Sequence, residues 1–188
     1  MSWNGTSADA SLDGMELIDP DETIELFAFM EAAAQSYERD GAKVDVGDVL
    51  AKAKAEVQAI FNEANAKKPG TVRLVMNGHM HMDHLRVLDN ILYWDVNSAN
   101  FQYYGNAHDK YPAEYVKTHR GAVNNIGWKE PLSAILTMWP NGRIKIDGSK
   151  SDWLFGVSPK DAGYPLTDSD GRETAPAIRS ADMTFNYA

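Results

Sequence analysis

Thr71-Val72-Arg73-Leu74-Val75-Met76-Asn77-Gly78-His79-Met80-His81-Met82-Asp83-His84, residues 71–84, decides how the rest of the chain is read. Its first part, residues 71–76, is an apolar run that reads as a buried strand. Gly78 then permits backbone conformations that other residues resist. His79 and His81 follow, two positions apart. In an extended segment their imidazoles project to one side, and in a loop they can address two adjacent ions. Three of the five histidines of the chain fall within residues 79–84. Imidazoles this close together at the end of a strand point to a metal site. Asp83 and His84 are further ligands of that site, or partners that orient an imidazole. The plainer alternative is a histidine-rich surface loop with its methionines packed inward.

Upstream of this stretch the sequence is helical in character. Asp19-Pro20-Asp21-Glu22 predicts a helix start, with Asp19 as cap, Pro20 at the first helical position and Glu22 at capping-box spacing. Ile24, Phe27, Met30, Ala34 and Tyr37 follow at helical spacing, and Gly41 ends the helix. A second helix is expected from near Asp45, through Val49, Ala53, Val57, Ile60, Phe61 and Ala64. Lys67 and Lys68 suit its C-terminal dipole, and Pro69-Gly70 stop it. Downstream the signals are strands: Ile91–Val96, Phe101–Tyr104, and a hairpin of Ala134–Trp139 and Arg143–Asp147 about the turn Pro140-Asn141-Gly142. Residues 151–157 suggest one more strand. The expected fold class is α+β, two helices followed by a mostly antiparallel sheet. Residues 1–18 read as a loosely ordered N-terminus and 19–157 as the body. Residues 158–188, rich in Pro, Gly and Asp, read as a tail that is wrapped over the body or disordered.

Composition narrows the function classes. The chain has 188 residues, 44% of them hydrophobic and 24% charged, ordinary values for one globular domain. It has no run of about eighteen apolar residues, so no membrane span is expected. No signal peptide is seen at Met1-Ser2-Trp3-Asn4-Gly5, which makes the cytoplasm the default location. Cysteine is absent, so any metal must be held by His, Asp, Glu, Asn or water. A net charge of −9 argues against a nucleic-acid-binding surface, which needs clustered Lys and Arg.

Gly78-His79-Met80-His81, with Asp83 two places on, resembles the last metal motif of the calcineurin-like metallophosphoesterases. Asp95-Val96-Asn97-Ser98-Ala99 resembles the strand and small-residue segment behind that motif, and residues 133–146 look like the family's terminal hairpin. The resemblance covers about residues 55–157 and implies one part of a four-layer α/β/β/α sandwich. It implies metal-dependent hydrolysis of a small phosphate mono- or diester. His79 and His81 would each contact one of two divalent ions (Mn, Fe, Zn or Mg). The family's earlier motifs, Asp-x-His, Gly-Asp-x-x-Asp and Gly-Asn-His-Asp/Glu, are not matched upstream of residue 79, where no histidine occurs. Gly47-Asp48-Val49-Leu50-Ala51 ends in Ala, and Gly105-Asn106-Ala107-His108-Asp109 lies downstream and carries an inserted Ala. The resemblance therefore implies a C-terminal fragment with an incomplete metal site, inactive by itself, whose exposed face favours self-association.

Two alternatives stay open. One is a non-catalytic binding or assembly module. The other is a metallo-β-lactamase-like hydrolase, since residues 79–84 match His-x-His-x-Asp-His. That superfamily has a helix after the motif, whereas Leu85–Asn90 leads here into a strand, and His108 and His119 come too early for its third ligand. Asp168-Ser169-Asp170-Gly171 resembles part of a calcium loop without completing it. The tryptophans at 94, 128, 139 and 153 are expected in core or sheet-face packing. Tyr103, Tyr104 and Tyr111 are candidates to line a pocket near the histidines.

Overall fold

The computed structural model describes residues 21–78, 81–104, 110–120, 124–167 and 172–187, with side chains from residue 30 onward. Two helices open the chain: α1 at Asp21–Glu38 and α2 at Val46–Lys67, packed along one another. Asp45 caps α2, its carboxylate accepting from the N–H groups of Gly47 and Asp48. Asp40 and Gly41, both at positive φ, turn the chain between the helices. A three-stranded sheet follows, from β1 (Leu74–Asn77), β2 (His84–Leu88) and β3 (Ile91–Asp95) in the order β1-β3-β2. β1 runs parallel to β3, with Leu74 opposite Leu92, and β2 runs antiparallel to it. β4 (Phe101–Tyr103) and β5 (Asn125–Gly127) pair as a second small sheet, flanking the short helix α3 (Ala113–Thr118). β6 (Ala134–Met138), β7 (Arg143–Gly148) and β8 (Ala181–Thr184) form a third, antiparallel sheet. The fold is α+β.

The main core lies between the first and third sheets. Leu92 and Trp94 of β3 meet Ile144 and Ile146 of β7, closed by Trp128, Leu132, Ile178 and Phe185. The opposite face of β3 meets α2 through polar groups. The Tyr93 hydroxyl donates to Gln58 at 2.5 Å, and Gln58 and Asn62 both donate to Asp89. Burial raises the Tyr93 pKa, against the smaller opposing effect of the Gln58 bond. The Asn65 side-chain amide binds both backbone groups of Val72, at 2.7 and 2.9 Å. Gln58, Asn62 and Asn65 form one stripe of α2, and that stripe faces the sheet. Val57 and Ile60, members of the apolar run of this helix, stand 38% and 63% exposed. The helix is oriented by its amides, which have fixed donors and acceptors to meet.

β1 is the edge of its sheet. Leu92 donates to the Arg73 carbonyl and Val96 to the Asn77 carbonyl, so residues 73, 75 and 77 address β3. Leu74 and Met76 therefore turn their backbone groups outward, and no described strand pairs with them.

Several expectations change. β2 replaces the expected connector after His84. It joins β3 through Asp89-Asn90, both at positive φ, the backbone of a two-residue hairpin turn. Residues 151–157 make no strand. Trp153 forms an isolated bridge to Trp128, and Phe155 and Gly156 at positive φ bend the chain into a 3-10 turn. The C-terminal stretch supplies β8 and two core residues, Ile178 and Phe185. A methyl group at Gly148 would collide with the Ile178 carbonyl oxygen, and one at Gly142 with that of Phe185.

Two predictions follow from this closure. Gly148→Ala forces Ile178 off β7, so it should destabilise the fold by about 1–3 kcal/mol; an unchanged urea midpoint would refute the close docking. Asp182 on β8 accepts from Arg143 Nε and Nη2 at 2.9 and 2.6 Å, which holds its carboxyl below the usual carboxylate range. A pKa lowered by folding stabilises above the unfolded value, about 3.9, and the effect is lost as pH falls through the folded value. Asp182→Asn should thus be slightly less stable than the parent at neutral pH, the difference fading as pH falls through the lowered carboxyl value of Asp182. A difference that persists unchanged in acid would contradict the ionic origin.

Candidate metal centre

The strand end at Asn77 passes through Gly78 into the histidine loop. His79 and Met80 lie outside the described residues, so the geometry begins at His81. That residue sits at φ 55°, a left-handed backbone uncommon for anything but glycine. Its ring stacks on Tyr103 at 4.9 Å and meets Phe101 edge-on at 5.1 Å. Its Nδ1 lies 2.8 Å from the Phe101 carbonyl oxygen. A carbonyl only accepts, so Nδ1 carries the proton and, in the neutral ring, the lone pair is on Nε2. A backbone carbonyl behind one ring nitrogen is a common arrangement for a histidine that ligates through the other.

Asp83 is 6% exposed and its carboxylate is fully engaged. Oδ1 accepts from Trp94 Nε1 at 3.1 Å; Oδ2 accepts from the Arg179 backbone N–H at 3.0 Å and from Arg179 Nε at 2.9 Å. Arg179 Nη2 also reaches the Asp83 carbonyl at 3.3 Å. None of its described partners is an imidazole. Asp83 supports the loop by tying it to β3 and to the C-terminal stretch. His84 opens β2 opposite Asp95, with Nδ1 3.5 Å from Asp95 Oδ2. Asp95 is buried and also takes the Asn77 amide at 3.3 Å. His84 thus pairs with a carboxylate across the hairpin.

The floor of this region is formed by residues 174–179 of the C-terminal stretch. Thr174 meets the Tyr104 hydroxyl at 2.9 Å, and the Ala175 and Ala177 carbonyls accept from the Asn97 amide at 2.9 and 3.0 Å. Asn97 Oδ1 is buried with no hydrogen-bond partner among the described residues. Arg179 then grips Asp83. The only local signal for this path is Pro176, which favours extended chain.

An imidazole with its Nδ1–H held is of the ligand type that Zn, Mn or Fe take. Asp83 and Asp95 are bonded to protein donors. Among the described residues no three His, Asp or Glu side chains converge as a cation would require.

The remaining candidates have structural uses or fall outside the description. His119 caps α3 and stacks on Tyr115 at 4.1 Å. Asp48 lies in the first turn of α2. His108 and residues 168–171 lie outside the described residues. Trp94, Trp128 and Trp153 pack in or against the core, and Trp139 lies under Arg143 at 4.7 Å. Tyr103 lies against His81, whereas Tyr104 and Tyr111 belong to a second core cluster with Ile126 and Val157. Burial raises the Tyr111 pKa. No described helix is long and apolar enough to cross a membrane. No family model, curated protein or solved structure matches the chain.

Proposed function

We propose that this chain is the C-terminal portion of a calcineurin-like metallophosphoesterase, carrying one loop of a two-metal site for hydrolysis of small phosphate esters. The observation that carries this reading is His81: a loop histidine at the end of a parallel strand, with Nδ1–H committed to the Phe101 carbonyl. The layering of α2, the β1-β3-β2 sheet and the β6-β7-β8 sheet is what part of an α/β/β/α sandwich would present. His79 and His81 are the ligands in this reading, and the ions are Mn, Fe, Zn or Mg. In such an enzyme the ions supply a hydroxide nucleophile and neutralise phosphoryl oxygens. The chain's own part is to hold imidazoles at the strand end. Two imidazoles do not hold a metal pair, so the isolated chain is inactive. The metallo-β-lactamase alternative is disfavoured because β2, not a helix, follows the motif.

With Mn or Zn supplied, the purified chain should hydrolyse bis(p-nitrophenyl) phosphate no faster than metal alone. The DNA just upstream should encode Asp-x-His, Gly-Asp-x-x-Asp and Gly-Asn-His in that order. Robust metal-stimulated turnover would overturn the inactivity, and an upstream sequence without those motifs would overturn the fragment reading.

A second reading, an assembly module, is favoured by a different observation. Met30 and Tyr37 on α1 are 58% and 87% exposed, Val57 and Ile60 on α2 are also exposed, and no described strand pairs with the outer edge of β1. Self-association through these surfaces should appear in sedimentation velocity as concentration-dependent dimer or larger species. A clean monomer at high concentration would count against it.

A further inference from the structure

We propose that the outer face of α1 is a docking surface for a basic amphipathic helix of a partner protein. Met30, Ala34 and Tyr37 stand at i, i+4 and i+7 and share one face of the helix. All three are exposed. Ala32, about half a turn round, is 4% exposed and marks the buried side. A surface helix ordinarily turns polar residues outward, and α1 turns an apolar stripe outward instead. Ala33 beside the stripe is exposed as well. The two alanines leave a low point between Met30 and Tyr37, which stand about one turn to either side. That relief takes a Leu or Ile side chain from a helix laid across it, and the unbranched Met30 adjusts to the shape offered.

Charge selects the occupant. Between Asp21 and Glu38 the helix carries Asp21, Glu22, Glu25, Glu31 and Glu38, and no Lys or Arg. Glu31 and Glu38 are exposed and border the stripe, each one residue past a large apolar side chain. Among the described residues the Glu31 carboxylate takes only a neutral amide, from Gln35 at 3.0 Å. Arg39, just beyond the helix, turns to Gln35 at 3.5 Å. A second copy of this chain, with net charge −9, would set the same carboxylates against this border, where like charges repel. A helix with Lys or Arg flanking its apolar stripe complements the hydrocarbon and the carboxylates together. The inference is independent of the metal-loop reading. It goes beyond the self-association reading by giving α1 a different partner, and leaves the exposed α2 residues and the β1 edge to a second copy.

The test titrates the full chain, labelled with 15N and at physiological ionic strength, with a synthetic amphipathic helix of Leu and Lys. Its counterpart, in which every Lys is Glu, serves as the control. The Leu–Lys helix should bind, with amide shifts centred on residues 30–38, and the Leu–Glu helix should bind about tenfold more weakly or not at all. Tyr37→Ser and, separately, Met30→Gln should each weaken the Leu–Lys helix about tenfold. Glu31→Gln combined with Glu38→Gln should weaken it too and flatten its salt dependence. Ile135→Ser, which removes another exposed apolar side chain, on β6, should change nothing. All of these positions are exposed, so the variants should keep the parent's dispersed spectrum. No binding of the Leu–Lys helix, equal binding of the two helices, shifts away from α1, or full affinity in Tyr37→Ser and Met30→Gln would overturn the proposal. So would a dimer of the chain alone that Tyr37→Ser dissolves, since the occupant would then be a second copy.

Discussion

Asp83 is a carboxylate taken out of water, and the segments around the histidine loop are arranged to satisfy it. A buried acceptor left without donors costs about 1–3 kcal/mol, more when charged. Three N–H groups answer it, one from β3 and two from Arg179. Because Arg179 is half-exposed, the charge attraction itself is worth little. The constraint is the need for donors. It brings the C-terminal stretch under the loop, and that stretch then adds Ile178 and Phe185 to the core and β8 to the third sheet. A single buried side chain thereby links the end of the chain to its middle.

The same preference for satisfied polar groups explains the orientation of α2. An apolar stripe containing Val57 and Ile60 would bury more hydrocarbon against the sheet. Gln58, Asn62 and Asn65 face it instead, because Val72, Asp89 and Tyr93 offer groups that those amides complete. Asn65 is notable for its target. It binds the N–H and the carbonyl of Val72, the two groups a neighbouring strand would use, at the point where the chain enters β1.

What sequence could reveal follows from the range of the interactions. Helices α1 and α2, β1, β3, and the β6–β7 hairpin rest on local periodicity, a cap at Asp45 and an Asn-Gly turn, and these were legible. β2 escapes the sequence because Leu85–Asn90, directly after the histidine motif, reads as a connection into the next strand, although the turn signal at Asp89-Asn90 is present. β8 and the floor at residues 174–179 rest on contacts with residues some 30 to 100 positions away, and a Pro-, Gly- and Asp-rich stretch carries no local mark of them. At the site, the position of His81 just past the end of β1 was legible from the sequence. The partner of Asp83 was not, because a carboxylate near histidines suggests an imidazole partner and nothing local points to Arg179.

The topology also limits how the site can be extended. His81 follows an edge strand, so the loop has β3 on one side and an open side on the other. On the β3 side several polar groups are engaged: Asp95 with His84 and Asn77, Asp83 with Trp94 and Arg179, and Asn97 Nδ2 with two carbonyls. Opening any of these to recruit a metal ligand would orphan a buried partner. Further donors beside His81 are therefore most easily accommodated on the open side of β1, where Leu74 and Met76 present unpaired backbone groups. A strand added there parallel to β1 would end at the same side of the sheet as the loop, the side on which ligand sites of parallel sheets form.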